Sequence, residues 1–473
     1  MKSCLECQYS KQSYPDGDMD DPLCALECRL TGEDLGYGDT FPIPSTCPFL
    51  HKEVATLNAE NQIHLPQDVL IIMDIIKEYG AESYVVGGCV RDSLLGRNPK
   101  DWDICSPVLP SELMPLFHEK GYRTIETGIQ HGTFTVIIDN ECYEITTYRR
   151  DGKYTDNRHP DNIEFVSDLE EDLARRDFTI NAIAYHPQEG IIDPFCGEED
   201  LHDGTLRCVG NAKERFQEDA LRIMRALRFS AVYGFHIEEQ TSEAMMECAP
   251  LLHNIAVERI NKEFTTVLLS DQIDTILFHY QYIIAQFIPC IETYNQDQIK
   301  FLSLWLKKSP KDLSIRLAIL FEHVHDYKPH LDYLRYDNIT VKDVCALVDH
   351  FHDVYFLHTP ITMKRHLRDY GMNCIYRLLY MRSSYPANTD LQMERYTKCL
   401  RILDEIRKTN ACYSIRQLQV NGRDLIKLGM KPGQSIGKLL NMLLNEVIDG
   451  YIENDPIMLI ARAGVLIQEG EFE

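Results

Sequence analysis

The feature that most constrains the fold is a succession of structure signals between residues 83 and 104. The β-branched and aromatic run at residues 83–86 stops at the glycine pair Gly87-Gly88, which is typical of a strand that enters a tight turn. Arg91-Asp92 follows in a helical segment, and Asp101-Trp102-Asp103 opens the next strand-like run, residues 102–105. Strand, turn, helix and strand in so short a stretch predict an α/β head.

The two aspartates of this stretch are spaced to act together. Side chains at i and i+2 of a strand point to the same face, so Asp101 and Asp103 face one way while Trp102 and Ile104 point into the sheet. Two Mg²⁺ ions held by these carboxylates would bridge a nucleoside triphosphate and lower the pKa of an attacking hydroxyl. A D-x-D sequence on its own is more often a solvated turn than a metal site.

The glycine turn supplies the other half of a nucleotide site. Gly87 and Gly88 let backbone N–H groups approach phosphate oxygens closely. Arg91 adds positive charge at the start of the next helix, where the helix dipole favours anions. A glycine pair after a strand is usually only a turn, but its combination with Arg91 and the two carboxylates predicts a nucleotidyltransferase active site.

The rest of the chain divides into a region with β signals and a helical remainder. Apolar residues recur at helical spacing over residues 67–80, and further strand-like runs are residues 133–138, 143–147 and 163–166. Helical periodicity replaces the β signal beyond about residue 207. The predicted fold is therefore α+β, a small mixed-sheet nucleotidyltransferase head followed by an all-helical neck, body and tail. Its predicted boundaries are 1–60 for a Cys-rich acidic N-terminal extension, 61–206 for the head, 207–275 for the neck, 276–390 for the body and 391–473 for the tail.

The N-terminal extension has a composition of its own, with 4 basic and 11 acidic residues in residues 1–60. The spacing of Cys4, Cys7, Cys24 and Cys28 resembles a structural zinc site, in which four thiolates replace a core that is too small. The spacing is irregular and Cys47 is left over, so an ordinary Cys-containing extension is the competing interpretation. No signal peptide and no run of the ~18 apolar residues of a membrane helix are recognisable, so we expect a cytoplasmic protein with reduced thiols.

The motif Gly87-Gly88-x-x-Arg91-Asp92-x-x-Leu95-Gly96 with Asp101-x-Asp103 resembles a known signature. It is that of class II tRNA nucleotidyltransferases (CCA-adding enzymes) and bacterial poly(A) polymerases, in the polymerase-beta superfamily. Cys89 departs from the Ser that is usual there. The resemblance implies a third catalytic carboxylate from a neighbouring strand. Glu144 matches the family segment in residues 143–149, and Glu141 beside the Asp139-Asn140 turn signal is the competing candidate.

A second motif of the same family resembles residues 175–182, Arg-Arg-Asp-Phe-Thr-Ile-Asn-Ala. The resemblance implies nucleotide-binding roles for Arg175, Arg176, Asp177 and Asn181, because an Arg pair supplies charge for ribose and phosphates. A solvated ion-pair network is the alternative interpretation. Residues 193–201 match the next family motif, to which we assign a positioning role between head and neck.

Residues 216–229 have the pattern of one amphipathic helix, on which Asp219 and Arg222 lie three apart on one face. Cytosine and adenine present an exocyclic amino donor beside a ring-nitrogen acceptor, whereas uracil and guanine present a carbonyl beside a ring N–H. An accepting Asp and a donating Arg therefore match C and A and can replace a template strand. Glu218-Asp219-x-x-Arg222 also resembles the amino-acid template of the family, and a surface ion pair is the alternative.

Four further segments carry weaker signals. Residues 151–160 are rich in charge, and the resemblance implies a flexible loop that is needed for the switch to adding A. Residues 258–264 resemble a motif in which an Arg and a Glu brace the neck helices. His323-Val-His325-Asp326 has the form of a phosphohydrolase metal motif but lacks a partner His upstream, so we expect a helical body without metal. Residues 421–437 resemble the tail of bacterial members.

The resemblance implies a Mg²⁺-dependent enzyme that adds CCA to the 3′ end of tRNA from CTP and ATP. A bacterial poly(A) polymerase, an enzyme that adds only CC or A, and a non-catalytic RNA-binding protein with the same head are the alternatives. The net charge of −25 argues against a nucleic-acid partner, but residues 364–440 contain 15 basic and 6 acidic side chains. We therefore expect the tRNA acceptor arm to contact the basic helical segments, while the oligomeric state stays open.

Overall fold

The structure is a computed structural model that describes residues 63–152, 163–352 and 357–469, together with three short strands in the first 40 residues. These are β1 (Ser10–Ser13), β2 (Ala25–Cys28) and β3 (Asp34–Tyr37), which pair in the order β1-β2-β3. The predicted zinc ligands Cys4, Cys7 and Cys24, the side chain of Cys28, and residues 153–160 of the predicted loop lie outside the described residues.

The described residues group into two units. The first draws on Met1–Arg150, Phe165–Arg176 and Ile180–Leu201, and the second on Asp151–Glu164, Asp177–Thr179 and His202–Glu473. The division after Leu201 lies close to the predicted end of the head at residue 206. The boundaries between neck, body and tail stay predictions.

The first unit is built round a mixed seven-stranded sheet with the order β12-β11-β4-β5-β8-β7-β6. The strands after β3 are β4 (Tyr84–Val86), β5 (Asp103–Ser106), β6 (Arg123–Gly128), β7 (Thr133–Ile138), β8 (Glu141–Thr147), β9 (Arg149–Asp151), β10 (Ile163–Phe165), β11 (Ala184–His186) and β12 (Gly190–Ile192). Neighbours in the seven-stranded sheet are antiparallel except β5 and β8, which run parallel.

Five helices accompany these strands: α1 (Gln67–Tyr79), α2 (Gly88–Leu94), α3 (Pro110–Glu119), α4 (Leu169–Ala174) and α5 (Gly197–Asp203). α1 confirms the helix that was predicted at residues 67–80. Its apolar residues at helical spacing, including Val69, Ile72 and Ile76, are buried. The helix ends at Gly80, whose φ of 101° places it in the left-handed region that glycine adopts without strain.

Three strands of the sheet were not predicted from the sequence. β6 lies at the edge and most of its residues are exposed, so it has no alternation of apolar and polar side chains. β11 and β12 have 3 residues each, which is too short to display a period of two. The β signal also extends past residue 207, because β13 (Thr205–Leu206) pairs in parallel with β14 (His236–Ile237).

The second unit is otherwise helical. Its helices are α6 (Ala212–Glu218), α7 (Leu221–Tyr233), α8 (Glu239–Cys248), α9 (Val257–Leu268), α10 (Ile273–His279), α11 (Gln281–Ala285), α12 (Gln296–Lys308), α13 (Leu313–Phe321), α14 (Lys328–Tyr333), α15 (Asn338–Asp349), α16 (Pro360–Ser383), α17 (Asp390–Lys408), α18 (Gly422–Lys427), α19 (Gln434–Asp449) and α20 (Pro456–Gln468). A separate apolar cluster within residues 412–466 forms the core of the last three helices.

These elements confirm the predicted α+β fold, a mixed-sheet head followed by a long helical remainder. In the ranges that the structure describes, no helix is both long and apolar enough to cross a membrane.

Candidate active site

The glycine turn joins β4 to α2. Gly87 has φ 79° and ψ −122°, a conformation that L side chains rarely adopt, and it precedes the first residue of α2. Its N–H donates to the Ile183 carbonyl at 3.0 Å. The backbone donors that can face a phosphate at this turn therefore begin with Gly88, in the first turn of α2.

Arg91 and Asn181, two of the predicted nucleotide-binding residues, lie together in the first unit. The buried Arg91 guanidinium donates to Asn181 Oδ1 at 2.6 Å and to Asp92 Oδ1 at 2.9 Å. The first contact links α2 to the short helical turn Thr179–Asn181, 90 residues further along the chain. Arg91 is therefore fixed in place before any ligand binds.

The sequence predicted that both aspartates of the D-x-D sequence lie on one strand. The structure shows that they do not. Asp103 is the first residue of β5, whereas Asp101 precedes the strand and is exposed. Ile104 is buried, in agreement with its predicted direction, and Trp102 is half-buried. The strand begins later than predicted, so its pleat does not fix the direction of Asp101.

The parallel pairing of β5 and β8 distinguishes the two candidates for the third carboxylate. Asp103 lies in register with Glu144, and side chains in register project from the same face of a sheet. Glu141 instead opens β8 directly after Asp139 and Asn140, whose φ angles of 49° and 71° form the tight hairpin turn. The register thus favours Glu144 over Glu141.

Other charged groups act on the Asp103 carboxyl. Burial raises the pKa of the Asp103 carboxyl; Arg176 opposes this rise, and the Glu144 and Asp101 carboxylates add to it. A divalent cation would relieve this repulsion, and carboxylate oxygens are the ligands that Mg²⁺ prefers. Within the described ranges no three His, Cys, Asp or Glu side chains converge as a complete metal site. Asp101 and Asp103 therefore fit as a partial donor set, to which phosphate oxygens and water add the remaining ligands.

Asp172 is a buried, ion-paired residue that the sequence analysis did not single out. Its side chain is 0% exposed, and its Oδ1 accepts from Arg175 Nε at 3.0 Å and Nη2 at 2.8 Å. Its Oδ2 accepts from Arg176 Nη2 at 3.2 Å. Burial by itself would raise the pKa of Asp172, but Arg176 and Arg175 outweigh it and lower the pKa. The signal was present in the sequence as a carboxylate three and four residues before the two arginines.

Arg175 and Arg176 thus form an ion-pair network, but a buried one rather than the solvated one considered from the sequence. Arg176 also lies against the glycine turn, since a Cβ on Gly87 would be only 2.9 Å from Arg176 Nη1. The same arginine acts on the pKa of Asp103. Arg176 therefore connects the glycine turn, Asp103 and Asp172.

Asp177 is not grouped with these residues, because it belongs to the second unit. Its Oδ2 accepts from Arg225 Nε at 2.7 Å, and its Oδ1 accepts from the Phe178 N–H at 2.9 Å. The sequence analysis placed Asp177 at the nucleotide. That role stays a prediction, and the structure adds a contact with an arginine of α7 that the sequence pattern gave no reason to select.

The predicted base-selecting helix is broken in two. Glu218 ends α6, Asp219 is extended with φ −135° and ψ 101°, and α7 begins at Leu221. Asp219 Oδ1 accepts from the Leu221 N–H at 3.0 Å, which starts the second helix in the manner of a capping residue. The break arises because Asp competes for backbone N–H groups, so one continuous helical face was the wrong expectation.

Arg222 takes Glu218 as its partner instead of Asp219. The buried Arg222 donates from Nη1 to Glu218 Oε2 at 2.7 Å and to the Arg215 carbonyl at 3.1 Å. The Asp219 Oδ2 atom lies 3.5 Å from Arg259 Nη2 on α9. The described contacts therefore give each residue a partner of its own, Glu218 for Arg222 and Arg259 for Asp219.

Two weaker sequence signals also have a definite place in the second unit. Glu263, in the segment predicted to brace the neck helices, accepts from Arg228 Nε of α7. His323 pairs with the Glu322 carboxylate, which raises the pKa of His323.

Comparison with protein families assigns three parts of the chain. Residues 83–207 match the model described as "Poly A polymerase head domain", and residues 313–463 match "tRNA nucleotidyltransferase domain 2". Residues 234–280 match "Probable RNA and SrmB- binding site of polymerase A". The first match contains the glycine turn, the three carboxylates and the Arg pair.

Curated relatives extend the similarity over most of the chain. The CCA-adding enzyme of Leuconostoc mesenteroides is 36% identical over 404 residues, which cover 83% of this chain and 95% of that protein. The CCA-adding enzyme of Ligilactobacillus salivarius is 34% identical over 412 residues, which cover 85% and 96%. The chain belongs to the CCA-adding enzyme family. This confirms the predicted family and, with it, the prediction of a tRNA nucleotidyltransferase.

Solved CCA-adding enzymes share the fold. The Bacillus stearothermophilus CCA-adding enzyme in complex with CTP has a TM-score of 0.71 at 30% identity, over 86% of this chain and 98% of that one. The Thermotoga maritima CCA-adding enzyme complexed with tRNA_CCA has a TM-score of 0.64 at 21% identity, over 85% and 96%.

Proposed function

We propose that this protein adds C, C and A to the 3′ end of tRNA, taking CTP and ATP as substrates and using no nucleic-acid template. The observation that carries the proposal is the register of β5 and β8, which sets Asp103 beside Glu144 in a chain of the CCA-adding enzyme family. At each step a bond forms between the terminal 3′ oxygen of the tRNA and the α-phosphorus. The bond from that phosphorus to the bridging oxygen breaks, and pyrophosphate leaves.

Asp101 and Asp103, with Glu144, would hold two Mg²⁺ ions. These ions, when bound, supply positive charge that lowers the pKa of the attacking hydroxyl and offsets charge on the leaving pyrophosphate. The buried Asp103 carboxyl has a raised pKa. Arg176 counters that rise, and so favours the ionised form that a metal ligand needs.

The triphosphate is bound by the first turn of α2 and by the arginines around it. Gly87 allows the sharp turn that brings the Gly88 N–H to the phosphates, and Arg91, held by Asn181, presents a fixed charge. Asp172 orients Arg175 and Arg176 so that little side-chain entropy is lost when a nucleotide binds. We assign Asp177 an indirect role, since it holds Arg225 rather than facing outward.

The base is chosen by Asp219 and Arg222. Glu218 holds the Arg222 guanidinium, and the Leu221 N–H holds one oxygen of Asp219, so both groups are oriented before a base arrives. An accepting carboxylate and a donating guanidinium match the hydrogen-bonding edges of C and A and oppose those of U and G. Arg222→Ala should therefore relax discrimination against UTP and GTP.

Incubation with tRNA that lacks its 3′ end tests the proposal. The products with CTP, with ATP and with both should be two added C residues, no extension, and CCA, respectively. Long A tracts from ATP alone would identify a poly(A) polymerase, and arrest after CC with both nucleotides would identify a partial enzyme. Asp103→Ala serves as the inactive control.

Two expectations stay predictions. A cytoplasmic location rests on the sequence alone. Zinc in residues 1–60 is tested by metal analysis of the purified protein, with Cys4→Ser and Cys7→Ser as controls.

A further inference from the structure

The helix α20 is apolar on both of its faces. One face is buried in the apolar cluster of the last three helices through Leu459, Ala463 and Leu466. The opposite face exposes the large apolar side chains of Ile457, Met458, Ile460 and Val465. A helix that is apolar all round is normally buried all round, and the 13 residues of α20 are too few to span a membrane. The exposed face of α20 is therefore suited to a protein partner.

This exposed face carries no charged side chain. The only charged residue of α20 is Arg462, whose Nε and Nη2 donate to the Glu446 carboxylate of α19 at 2.8 Å and 2.6 Å. Two small residues, Ala461 and Gly464, lie on the same side of the helix as Ile457. A Cβ added to Gly464 would meet nothing within 4 Å, so no described element of the chain covers this point.

The residues of the exposed face are spaced for packing against another helix. Ile457, Ala461, Gly464 and Gln468 follow one another at intervals of four, three and four residues, which is the seam of a two-stranded coiled coil. The seam is symmetric about its midpoint. When two copies of α20 pack antiparallel about a two-fold axis, the small residues at the middle of both seams therefore meet and allow a close approach.

Charge decides which partner fits this face. Residues 441–473 contain 7 acidic side chains and 1 basic side chain, so the surroundings of α20 repel RNA phosphates and anionic lipids. They also repel residues 1–60, which carry 11 acidic and 4 basic side chains. An uncharged seam lets two acidic molecules pack without bringing carboxylates into the contact. Two such faces would bury on the order of 1,000 Å² in total, near the lower end for a specific interface.

We propose that the exposed face of α20 is a homodimer interface, on which α20 of a second copy of this chain packs antiparallel. The dimer has moderate affinity, because the buried area is small and the acidic residues Glu453 and Glu469, at opposite ends of the helix, approach each other across the interface. The interface uses no residue of the proposed metal, triphosphate or base-selecting sites.

Sedimentation equilibrium of the full chain tests the proposal. We expect the mass of a monomer in dilute solution and the mass of a dimer as the concentration approaches about 100 µM. Raising NaCl from about 50 mM to about 500 mM should tighten the dimer several-fold, because salt screens the repulsion between its acidic ends. A contact made through phosphate groups would weaken with salt instead. A protein that stays monomeric at every concentration, or a dimer that salt dissociates, overturns the proposal.

Ile457→Glu places a carboxylate at the end of the seam and should raise the dissociation constant of the dimer at least about tenfold. Leu391→Glu is the matched control, because Leu391 on α17 is 77% exposed and Ile457 is 78% exposed. The control should keep the dissociation constant of the wild type, and both variants should keep its KM for tRNA. An equal loss in both variants overturns the proposal. A raised KM for tRNA in Ile457→Glu also does so, by assigning the face to tRNA.

Gly464→Leu separates the interface from the fold. The new side chain has open space in the monomer, and Leu favours a helix more than Gly does, so the melting temperature in dilute solution should rise. In the dimer the same side chain holds the two helices apart, and the dissociation constant should rise about tenfold. Gly464→Ala adds only a methyl group and should weaken the dimer less. An unchanged or tighter dimer in Gly464→Leu overturns the proposal.

Discussion

Gly87→Ala should impair nucleotide binding as well as folding, because the new methyl group meets an arginine of the proposed site. Gly87 has φ 79° and ψ −122°, so an L side chain there costs about 1–2 kcal/mol of backbone strain. The added Cβ would lie 2.9 Å from Arg176 Nη1 and 3.5 Å from the Asn181 carbonyl. Asp172 holds Arg176 at 3.2 Å, so the guanidinium can give way only by weakening that contact.

The two effects add to roughly 2–3 kcal/mol of lost stability, since moving Arg176 off its rotamer costs about 1 kcal/mol more. For a unit of this size the melting temperature should fall by about 6 °C. Arg176 also loses its alignment with the triphosphate. If about 1.4 kcal/mol of a charge-assisted hydrogen bond is lost, the KM for CTP rises tenfold.

Gly96→Ala is the matched control for this prediction. Gly96 has a positive φ of 65°, but a Cβ there would meet nothing within 4 Å. This variant should show only the backbone penalty of about 1 kcal/mol, with the KM for CTP unchanged. Differential scanning fluorimetry and steady-state CTP incorporation measure the two quantities. If both variants shift the melting temperature and the KM equally, the contact between the turn and Arg176 has no role, and the reasoning fails.

Four other substitutions test the head. Asp172→Asn should cost about 3 kcal/mol, because it removes the buried carboxylate that pairs with two half-buried arginines. The pKa of Asp172 is lowered from 3.8 in the folded protein, so the ionised carboxylate stabilises the fold above that pH. The difference in melting temperature between Asp172→Asn and the wild type should therefore shrink as the pH falls below 3.8. A constant difference would contradict the assignment. Asp103→Asn should reduce incorporation at least about 100-fold. Asp103→Asn should also leave the melting temperature of the metal-free protein equal to that of the wild type or higher, because burial disfavours the ionised carboxylate that the substitution removes. A clear fall in the melting temperature would argue against this. Glu144→Gln should reduce incorporation strongly while Glu141→Gln should not, and the reverse result would move the third carboxylate to Glu141.

Much of the head could be predicted because its signals are local. A β-branched run followed by two glycines ends a strand wherever it occurs, and apolar residues at helical spacing made α1 recognisable to within one residue. The same locality explains the failures. β11 and β12 are too short to carry a period, and β6 at the sheet edge is not required to alternate.

The break at Asp219 shows a conflict between two local signals. The apolar spacing of residues 216–229 predicts one helix, and the capping preference of Asp predicts an interruption. The structure resolves it in favour of the cap, with Oδ1 bonded to the Leu221 N–H. This outcome changes the contacts of the proposed base-selecting residues. Arg222 pairs with Glu218, and Asp219 pairs with Arg259.

The sequence by itself determined the family, the α+β class and the residue types of the site, since strand ends, glycine turns and carboxylate spacing are encoded within a few residues. Tertiary structure decided which side chains of the proposed site contact each other. The parallel register of β5 and β8 favoured Glu144, and Asp177 went to Arg225, 48 residues further along the chain. Hydrogen bonds and ion pairs between distant segments depend on packing and burial. No local pattern of residues specifies which distant partner a buried charge will meet.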